Sequence, residues 1–432
     1  MPVPGLTEIR LGAFKSHRDQ TLQLEPMTLL VGRNGSGKSN ALDALSLLAL
    51  LADDRDVNDL ERGDSEVAGL RGGLSGAAPF GGKEVAVGCT ITADGGEQLR
   101  FDVTFDASVH PEITSERLVL LRPQKKDQTL IESNQRAPGS GIADVQVYSG
   151  GAPRTYQFLS SRLAVAQAVT RLPADTMARQ LVIERCEALV GVLRGVFVLD
   201  PVPAQMREYV RIGSPPDRSG SSTSAVVYRL RENASTWDRL VKLVRGLVEA
   251  EVVDVTFSEA KLPDDRLIDV MVALEEQAGS GRFTAPARLM SDGTLRYLAI
   301  VASLLDLPSD GGGDWLSAGR TLVVEEIENG LFPSQSERVL KLLRTEAKER
   351  NVRLIATTHS PALLDALTPE DHRGVIVCAR GPDGFSRLGR LTDHPSYVEI
   401  AGAGEIGRSV ARGLLAQPAK PPPASVADLF AS

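Results

Sequence analysis

The most informative stretch of this sequence is Gly32-Arg33-Asn34-Gly35-Ser36-Gly37-Lys38-Ser39. It matches the P-loop pattern G-x-x-x-x-G-K-[ST], whose glycine-rich backbone turns its N–H groups inward and cradles phosphates. In this pattern Lys38 neutralises charge on the β- and γ-phosphates, and the hydroxyl of Ser39 binds Mg²⁺. Residues 27–31 predict a buried strand before the loop, and residues 40–48 predict a helix whose N-terminus faces the anion. The stretch therefore predicts a site for a nucleoside triphosphate with Mg²⁺.

Two later segments predict the rest of such a site. Residues 321–326 form an apolar run that ends in Glu325 and Glu326, and such a strand delivers its acids to the carboxyl edge of a parallel sheet. One carboxylate can hold the metal shell while its neighbour polarises the attacking water. Residues 354–361 form another apolar run closed by His359, which could bond a γ-phosphate at the same edge.

A third segment, residues 289–296, is a polar turn that opens an apolar helix. Ser291, Asp292 and Gly293 stand at the start of that helix, where backbone N–H groups offer another anion site. Taken alone, the segment is equally well explained as an ordinary helix cap.

The composition excludes several classes of protein. The chain has 432 residues, a formal net charge of −8, 42% hydrophobic and 24% charged residues, and three widely separated cysteines. No apolar run is long enough for a membrane span, and the cysteines form neither a disulfide framework nor a zinc pattern, so we expect a cytoplasmic protein with no membrane partner. The acidic total argues against a surface that coats nucleic acid, and we expect Lys125, Lys126 and the arginines of 207–239 to be solvated.

The pattern along the chain predicts an α/β fold. Residues 84–91, 98–105 and 117–121 alternate as in an antiparallel meander, whereas the segments after 250 alternate strand with helix, as in a parallel sheet. We expect an N-terminal lobe over 1–158 with the P-loop and the meander. A helical insertion lobe is predicted over 159–250, a C-terminal lobe over 251–415 and a flexible tail over 416–432.

The four motif segments together resemble the ABC-type ATPases of the SMC/RecF/OLD class, over the chain from Leu6 to about Leu391. The resemblance implies an ABC-ATPase head with ATP and Mg²⁺ as cofactors. Ser291-Asp292-Gly293-Thr294 then corresponds to the signature motif, which binds ATP held by a second subunit. Glu325-Glu326 correspond to the Walker B pair, with Glu326 as general base. His359 corresponds to the switch histidine, and residues 329–333 fall where the D-loop lies.

The site residues implied by this resemblance fall into three roles. Glu326, His359 and Lys38 are expected to act in hydrolysis, and Ser39 and Glu325 to hold the metal. Lys15 is expected on the lobe that contacts the nucleotide, within Phe14-Lys15-Ser16-His17. The expected nucleotide contacts are Gly32, Asn34, Gly35, Ser36, Gly37, Lys38, Ser39, Asn40, Lys15, Ser291, Asp292 and Gly293.

This chain departs from the family pattern at two points. Walker B usually carries Asp where this chain has Glu325, whose longer side chain still offers a carboxylate. The glutamine of the family's Q-loop has three candidates in Gln124, Gln157 and Gln167, and none is assigned.

Two features that the sequence lacks restrict the subfamilies that it can resemble. No long coiled-coil pattern separates the P-loop from the signature, and about seventy residues after His359 are too few for the nuclease domain of OLD proteins. The chain therefore resembles a stand-alone ATPase that forms a homodimer or larger homo-oligomer and controls a separate effector, a nuclease or toxin, in anti-phage defence. A RecF-like repair ATPase that binds DNA and a slow-turnover ATP-dependent scaffold are the alternatives. A transporter ATPase is disfavoured by the long insert and by the signature sequence.

Overall fold

The computed structural model describes residues 5–62, 70–93, 96–108, 111–134, 139, 141–247, 251–262, 267–306, 320–330, 333–404 and 406–415. The predicted tail, 416–432, lies outside these residues. The chain divides into two compact units. The first unit contains Met1–Phe197, Asp310–Thr321 and Asp371–Ser432, and the second contains Val198–Ser309 and Leu322–Glu370.

The secondary structure alternates between sheet and helix along the chain. The strands are β1 (Gly5–Phe14), β2 (His17–Gln23), β3 (Met27–Val31), β4 (Glu84–Thr92), β5 (Gln98–Asp106), β6 (Glu112–Leu121), β7 (Gln128–Asn134), β8 (Ile142–Val147), β9 (Arg154–Leu159), β10 (Val196–Leu199), β11 (Val210–Arg211), β12 (Glu251–Lys261), β13 (Leu267–Ala278), β14 (Gly281–Pro286), β15 (Thr321–Val324), β16 (Arg353–Thr358), β17 (Val375–Arg380) and β18 (Ser386–Arg390). The helices are α1 (Lys38–Ala52), α2 (Asp59–Arg62), α3 (Ala164–Arg171), α4 (Met177–Arg194), α5 (Pro203–Met206), α6 (Thr223–Leu230), α7 (Ala234–Leu247), α8 (Asp292–Asp306), α9 (Pro333–Glu349), α10 (Pro361–Asp365), α11 (Tyr397–Gly402) and α12 (Ile406–Arg412).

The first unit is built on a sheet in the order β3-β17-β18-β2-β1-β4-β5-β6-β7-β8-β9. Strands β3 and β17 are parallel, and the run from β1 through β4 to β9 is antiparallel. The meander predicted from the alternating segments is confirmed as β4, β5 and β6. Helix α1 is apolar on nearly all sides because it packs against both β1 and α4.

The second unit contains two groups of strands. Strands β10, β15 and β16 are neighbours, and β15 and β16 are buried along their whole length, in agreement with the apolar residues that each contains. A separate sheet has the order β11-β13-β12, with β14 paired to β13. Helices α6 and α7 pack on α8, and α9 packs on α7 and β16. The predicted α/β fold class is therefore confirmed.

The predicted helical lobe, 159–250, contains α3 to α7 and also the short strands β10 and β11. Its helices divide between the units, with α3 and α4 in the first and α6 and α7 in the second. The predicted lobe boundaries at 158, 250 and 415 stay a prediction.

The three cysteines share one kind of environment. Cys89, Cys186 and Cys378 are all buried and free. Burial raises the pKa of the Cys89 and Cys378 thiols to about 12, so these thiols stay protonated and serve as packing groups. Among the helices that the structure describes, none combines the length and apolarity needed to cross a membrane.

Candidate nucleotide site

The predicted site residues divide between the two units. Lys15 and residues 32–40 belong to the first unit. Residues 291–293, Glu325–Glu326 and His359 belong to the second. Each half of the site is therefore described within its own unit.

Glycine geometry shapes the P-loop. Strand β3 ends at buried Val31, and Gly32 follows with a φ of 149° and with space for a Cβ only 2.2 Å from the carbonyl oxygen of Cys378. Gly37, the N-cap of α1, has a φ of 103°, and a Cβ there would lie 2.2 Å from Ser386 Oγ. Gly35 has a φ of 76° and open space around it. Two of these glycines are required by both backbone and neighbours, and the third by backbone alone.

Lys38 and Ser36 give the loop its capacity for phosphate. Lys38 is 8% exposed, and its Nζ donates to the carbonyl oxygens of Gly32 at 2.7 Å and Arg33 at 3.1 Å. The ammonium therefore lies across the opening of the P-loop. Ser36 is 5% exposed, and within the described chain its buried Oγ has no hydrogen-bond partner. A buried hydroxyl without a partner is costly, and a phosphate oxygen in the loop would satisfy it. The residues present thus fit the triphosphate that the motif predicts.

His17 holds the end of the loop, and the sequence analysis gave it no role of its own. It is fully buried, and its Nε2 lies 3.0 Å from the carbonyl oxygen of Gly37. Because a carbonyl can only accept, Nε2 carries the proton and donates. Burial lowers the pKa of His17 to about 4, so the ring is neutral at physiological pH. Within the predicted segment Phe14–His17, the imidazole of His17 therefore supports the P-loop through its hydrogen bond to Gly37.

Ser16 joins three parts of the first unit at the same place. Its Oγ accepts a hydrogen bond from Asn40 Nδ2 at 2.8 Å and lies 2.7 Å from the Oγ of Ser386, its donor. The backbone N–H of Ser386 donates to the carbonyl oxygen of Ser16 at 2.6 Å. Asn40, predicted as a nucleotide contact, uses its amide nitrogen to fix the first turn of α1 to this cluster.

Lys15, also predicted as a nucleotide contact, is engaged by a carboxylate. Its φ is 49°, and its Nζ lies 2.6 Å from Asp43 Oδ2 and 2.8 Å from the carbonyl oxygen of Arg71. Asp43 is 1% exposed in α1 and also pairs with Arg71, whose Nη2 donates to the carbonyl oxygen of Ser39 at 3.1 Å. Lys15 thus anchors α1, and its contact with nucleotide stays a prediction.

In the second unit, Glu325 is paired with an arginine. The Nη2 of Arg218 donates to Glu325 Oε1 at 2.8 Å, and both side chains are largely buried. Arg218 lies in a loop that Asp217 stiffens, since the Asp217 carboxylate accepts from the N–H groups of Ser219 and Ser222. The sequence analysis placed Arg218 among solvated arginines, and this expectation was wrong. No local signal identifies the pairing, because its partners are 107 positions apart.

Glu326 turns away from the strand that precedes it. It is exposed, has a φ of 49°, and its N–H donates to Thr357 Oγ1 at 2.8 Å. Its carboxylate accepts a hydrogen bond from Asn329 Nδ2. The two neighbouring acids therefore have different environments: Glu325 is buried beside a guanidinium, and Glu326 is exposed just after the end of β15.

His359 is oriented by Glu328, a residue that the sequence analysis did not assign. Glu328 Oε1 accepts from the N–H of His359 at 2.7 Å and lies 3.2 Å from its Nδ1. The His359 side chain is 46% exposed, whereas that of Glu328 is 10% exposed. An acid that fixes Nδ1 leaves Nε2 directed outward for a ligand. The sequence does show one indication of this role: Glu328 is a third acid, two positions after Glu326.

The signature segment begins α8. Ser291 Oγ accepts from the N–H of Thr294 at 3.1 Å, which caps the helix, and Asp292 pairs with Arg207 at 2.6 Å. Gly293 touches the backbone of Gly330, since a Cβ on Gly293 would lie 1.8 Å from the carbonyl oxygen of Gly330. The segment predicted as signature and the start of the segment predicted as D-loop are thus in direct contact. Leu331 and Phe332 of the D-loop prediction lie outside the described residues.

The residues that would hold Mg²⁺ are few. In the described ranges, no group of three or more His, Cys, Asp or Glu side chains could hold a metal ion by itself. Magnesium bound with a nucleotide usually keeps water and phosphate oxygens and takes one or two protein ligands. The sequence predicts Ser39 and Glu325 as such oxygen ligands, and this assignment stays a prediction.

Comparison with known proteins places the chain in a family. Residues 27–140 and 208–365 match the family described as "AAA domain, putative AbiEii toxin, Type IV TA system". The curated DNA replication and repair protein RecF of Acidothermus cellulolyticus is 29% identical over 145 residues, which are 33% of this chain and 38% of that protein. The alignment therefore spans well under half of the relative's length.

Solved structures with related folds share little sequence. An SMC head bound to the C-terminal winged-helix domain of ScpA has 14% identity and a TM-score of 0.47, covering 89% of this chain and 97% of that chain. A structure of the recombination mediator protein RecF-ATPrS in the RecFOR pathway has 12% identity and a TM-score of 0.39, covering 90% of this chain and 98% of that chain. At these identities and scores, the two structures say nothing about what this chain binds.

Proposed function

The chain belongs to the AAA domain family that carries the putative AbiEii toxin and Type IV TA system description, and from this membership we propose that it binds and hydrolyses ATP with Mg²⁺. The class inferred from the four motifs, an ABC-type ATPase of the SMC/RecF class, is confirmed by this family and by the RecF relative. Hydrolysis itself, the site residues, the assembly and the biological role are the parts that we propose.

The P-loop is the observation that carries the proposal. Lys38 closes the loop, and the glycines leave the loop backbone accessible to a ligand. Within the described chain the buried Oγ of Ser36 has no hydrogen-bond partner, and a phosphate oxygen would supply one. Ser39 and Glu325 would hold Mg²⁺, which neutralises the charge that develops on the phosphates. Glu326 accepts the proton of the attacking water, and His359, as an imidazolium whose Nδ1 is paired with Glu328, donates from Nε2 to a phosphate oxygen.

We further propose that two copies close around two ATP molecules. Ser291 and Asp292 are exposed at the start of α8, so they are accessible to a second chain. If the signature of each copy completes the site of the other, the interface is two-fold and ATP is part of it. Binding then closes the pair and hydrolysis opens it.

The favoured role is control of a separate effector in anti-phage defence. The support for a defence role is the family description, which names a putative AbiEii toxin and a Type IV TA system. A RecF-like role on DNA is the second candidate, because the curated relative is a replication and repair protein.

Four of the arginines of 207–239 are paired with acids, which argues against a basic surface for direct DNA binding at their positions. Arg207 pairs with Asp292, Arg218 with Glu325 and Arg229 with Asp306, so their charges are neutralised within the second unit. Arg239 likewise pairs with Glu346 and Glu349. An ATP-dependent scaffold with slow turnover is the third candidate.

Titration of ATP into Lys38→Ala tests the proposal directly. A hydrogen bond to a charged group contributes about 1.5–3 kcal/mol, so the variant should bind ATP about 10- to 100-fold more weakly. Lys126→Ala, an exposed lysine of the same unit, is the control and should bind like the wild type. Equal affinity in Lys38→Ala and the wild type would refute the site.

A second experiment separates the three roles. The solution mass of the full chain carrying Glu326→Gln is measured by light scattering with and without Mg²⁺–ATP, and hydrolysis by the wild type is measured with and without duplex DNA. Dimerisation that requires ATP, with DNA-independent hydrolysis, supports effector control. Hydrolysis that duplex DNA stimulates and that salt suppresses steeply would favour the RecF-like role. Assembly without phosphate release would favour the scaffold.

A further inference from the structure

The C-terminal helix α12 ends against the P-loop. If Gly413 carried a Cβ, that atom would lie 3.3 Å from Arg33 Cζ, 3.3 Å from Nη2 and 3.4 Å from Nε. Three atoms of one guanidinium at nearly equal distances place its flat face towards the glycine. Arg33 is the second residue of the P-loop, so the end of the C-terminal helix packs on the rim of the predicted phosphate site.

Gly413 is positioned by a well-formed helix end. The N–H of Gly413 donates to the carbonyl oxygen of Val410 at 3.0 Å, and the N–H of Leu414 to that of Ser409 at 3.0 Å. These two bonds form a Schellman motif, in which the residue after the C-cap is left-handed, as the φ of 73° at Gly413 shows. Leu415, at 1% exposure, anchors the segment in the first unit. The glycine that faces Arg33 is therefore held by its own backbone and does not depend on Arg33.

The donors of Arg33 are unused. Arg33 is exposed, and within the described residues no hydrogen bond or ion pair engages its guanidinium. A guanidinium carries five N–H donors in a planar fork that matches phosphate geometry. Packing on Gly413 fixes one face of that plane and leaves the edge with the donors accessible, which reduces the entropy lost when an anion binds. A second exposed guanidinium, that of Arg380, lies at the same rim, with Nη1 3.5 Å from the carbonyl oxygen of Gly35.

We infer that Arg33 binds the phosphates of the nucleotide and that Gly413 is the positioning residue that orients it, which makes α12 part of the nucleotide site. This inference rests on the proposed function and extends it to a segment beyond the family-matched ranges, which end at residue 365. The helix-end role of Gly413 alone does not account for the contact, because Gly404 ends α11 with a φ of 67° and has nothing within 4 Å of its Cβ position. Gly404 is therefore the matched control for backbone strain.

ATP affinity is measured by calorimetry in full-length chains that carry Glu326→Gln, so that hydrolysis does not interfere. Arg33→Ala should weaken binding about 10-fold or more, because a charge-assisted contact is lost. The loss should shrink from ATP to AMP if phosphates are the ligand. Arg33→Lys, which keeps the charge without the planar fork, should recover part of the affinity.

Gly413→Ala should weaken ATP binding several-fold, about 3- to 10-fold, by pushing the guanidinium aside. In a chain that already carries Arg33→Ala, the same change should have no further effect. Gly404→Ala should lower the melting temperature by a comparable amount and leave ATP affinity at the reference value.

Three results overturn the inference: unchanged or tighter ATP binding in Arg33→Ala, full additivity of Gly413→Ala with Arg33→Ala, or an equal loss of affinity in Gly404→Ala. If Gly413→Ala does not fold, Arg33→Ala and Arg33→Lys still decide whether Arg33 binds phosphate. Failure of the proposed function is distinguished by the reference chain, which would then bind ATP no better than Lys38→Ala.

Discussion

The P-loop of the first unit and the acidic strand end of the second are held in place by different kinds of contact. The P-loop takes its shape from the positive φ angles of Gly32, Gly35 and Gly37 and from the first turn of α1. The acids at the end of β15 depend on side chains from distant positions, with Arg218 on Glu325 and Thr357 on the N–H of Glu326.

Because of this difference, the two parts are sensitive to different kinds of substitution. A loop shaped by backbone angles fails when a glycine gains a side chain, because no rotamer can remove a Cβ. A carboxylate held by a distant arginine fails when either partner changes, and the cost is that of a partly buried group left without its counter-charge. Four predictions test this difference.

The largest effect is expected at Glu326, whose carboxylate does chemistry rather than support the fold. Glu326→Gln should lower ATP turnover by about 10²- to 10⁴-fold, the usual contribution of a general base, while ATP binding is retained. Phosphate release under saturating ATP measures it, with the exposed Glu232→Gln as control. Turnover near the wild-type value would remove Glu326 from this role.

The next effect distinguishes the glycines of the P-loop from one another. Gly37→Ala should lower the free energy of unfolding by roughly 2–6 kcal/mol, from backbone strain of about 1–3 and overpacking of about 1–3 against Ser386. Gly35→Ala should cost only about 1–2 kcal/mol, since its surroundings are open. Urea unfolding measures both, and Ser386→Gly should recover part of the loss in Gly37→Ala. Equal losses at Gly35 and Gly37 would contradict the steric account.

The third prediction concerns His17, which supports the P-loop, and the pH dependence of the free energy of unfolding. Burial lowers the pKa of His17 in the folded state from its ordinary value of 6.5 to about 4, so between these two values the unfolded chain binds more protons than the folded chain. Stability from the neutral imidazole is therefore fully present above pH 6.5 and is lost as pH falls through about 4, by about 3 kcal/mol in total.

His17→Phe removes this titration. Its free energy of unfolding, measured in urea at several pH values between 7 and 4, should fall less steeply with decreasing pH than that of the wild type. The buried carboxyl of Glu116, whose pKa burial raises to about 7, contributes with the opposite sign in both proteins and cancels in the difference. Parallel pH profiles would show that His17 does not control stability.

The smallest effect concerns the pair in the second unit. Arg218→Ala should lower the free energy of unfolding by about 1.5–3 kcal/mol, the contribution of a hydrogen bond to a charged group. Glu325→Ala and the double variant complete a cycle, and the coupling between the two residues should be about 1 kcal/mol or more. Strict additivity would mean that the pair contributes nothing, and the two halves of the site would then differ less than the structure indicates.

The sequence predicts those parts of the fold that depend on neighbours along the chain. The strand before the P-loop, helix α1 and the meander β4–β6 follow from periodicity within each segment. It also identifies the acids at 325 and 326 and the histidine at 359, because each ends an apolar run. The two-unit division was not predicted, since α4 and α6 lie close in sequence but belong to different units.

The support of the site could not be predicted for the same reason. In the sequence Arg218 resembles a surface charge, because its partner Glu325 is distant along the chain. His17 resembles an ordinary turn residue, because its contact with Gly37 is visible only in the structure. Lys15 was expected at the nucleotide, and the structure gives its ammonium a carboxylate in Asp43. Long-range pairing decides each of these cases, and no local pattern records it.

The contact between Gly293 and Gly330 has a mechanical consequence. With no side chain on either residue, the two backbones meet without any compressible layer, since even a methyl group would overlap the opposite main chain. Packed atoms resist approach steeply but separate at little cost. The contact therefore limits movement in one direction: the loop after Glu326 cannot come closer to the start of α8 at this point, whereas the contact alone does not prevent the two from separating.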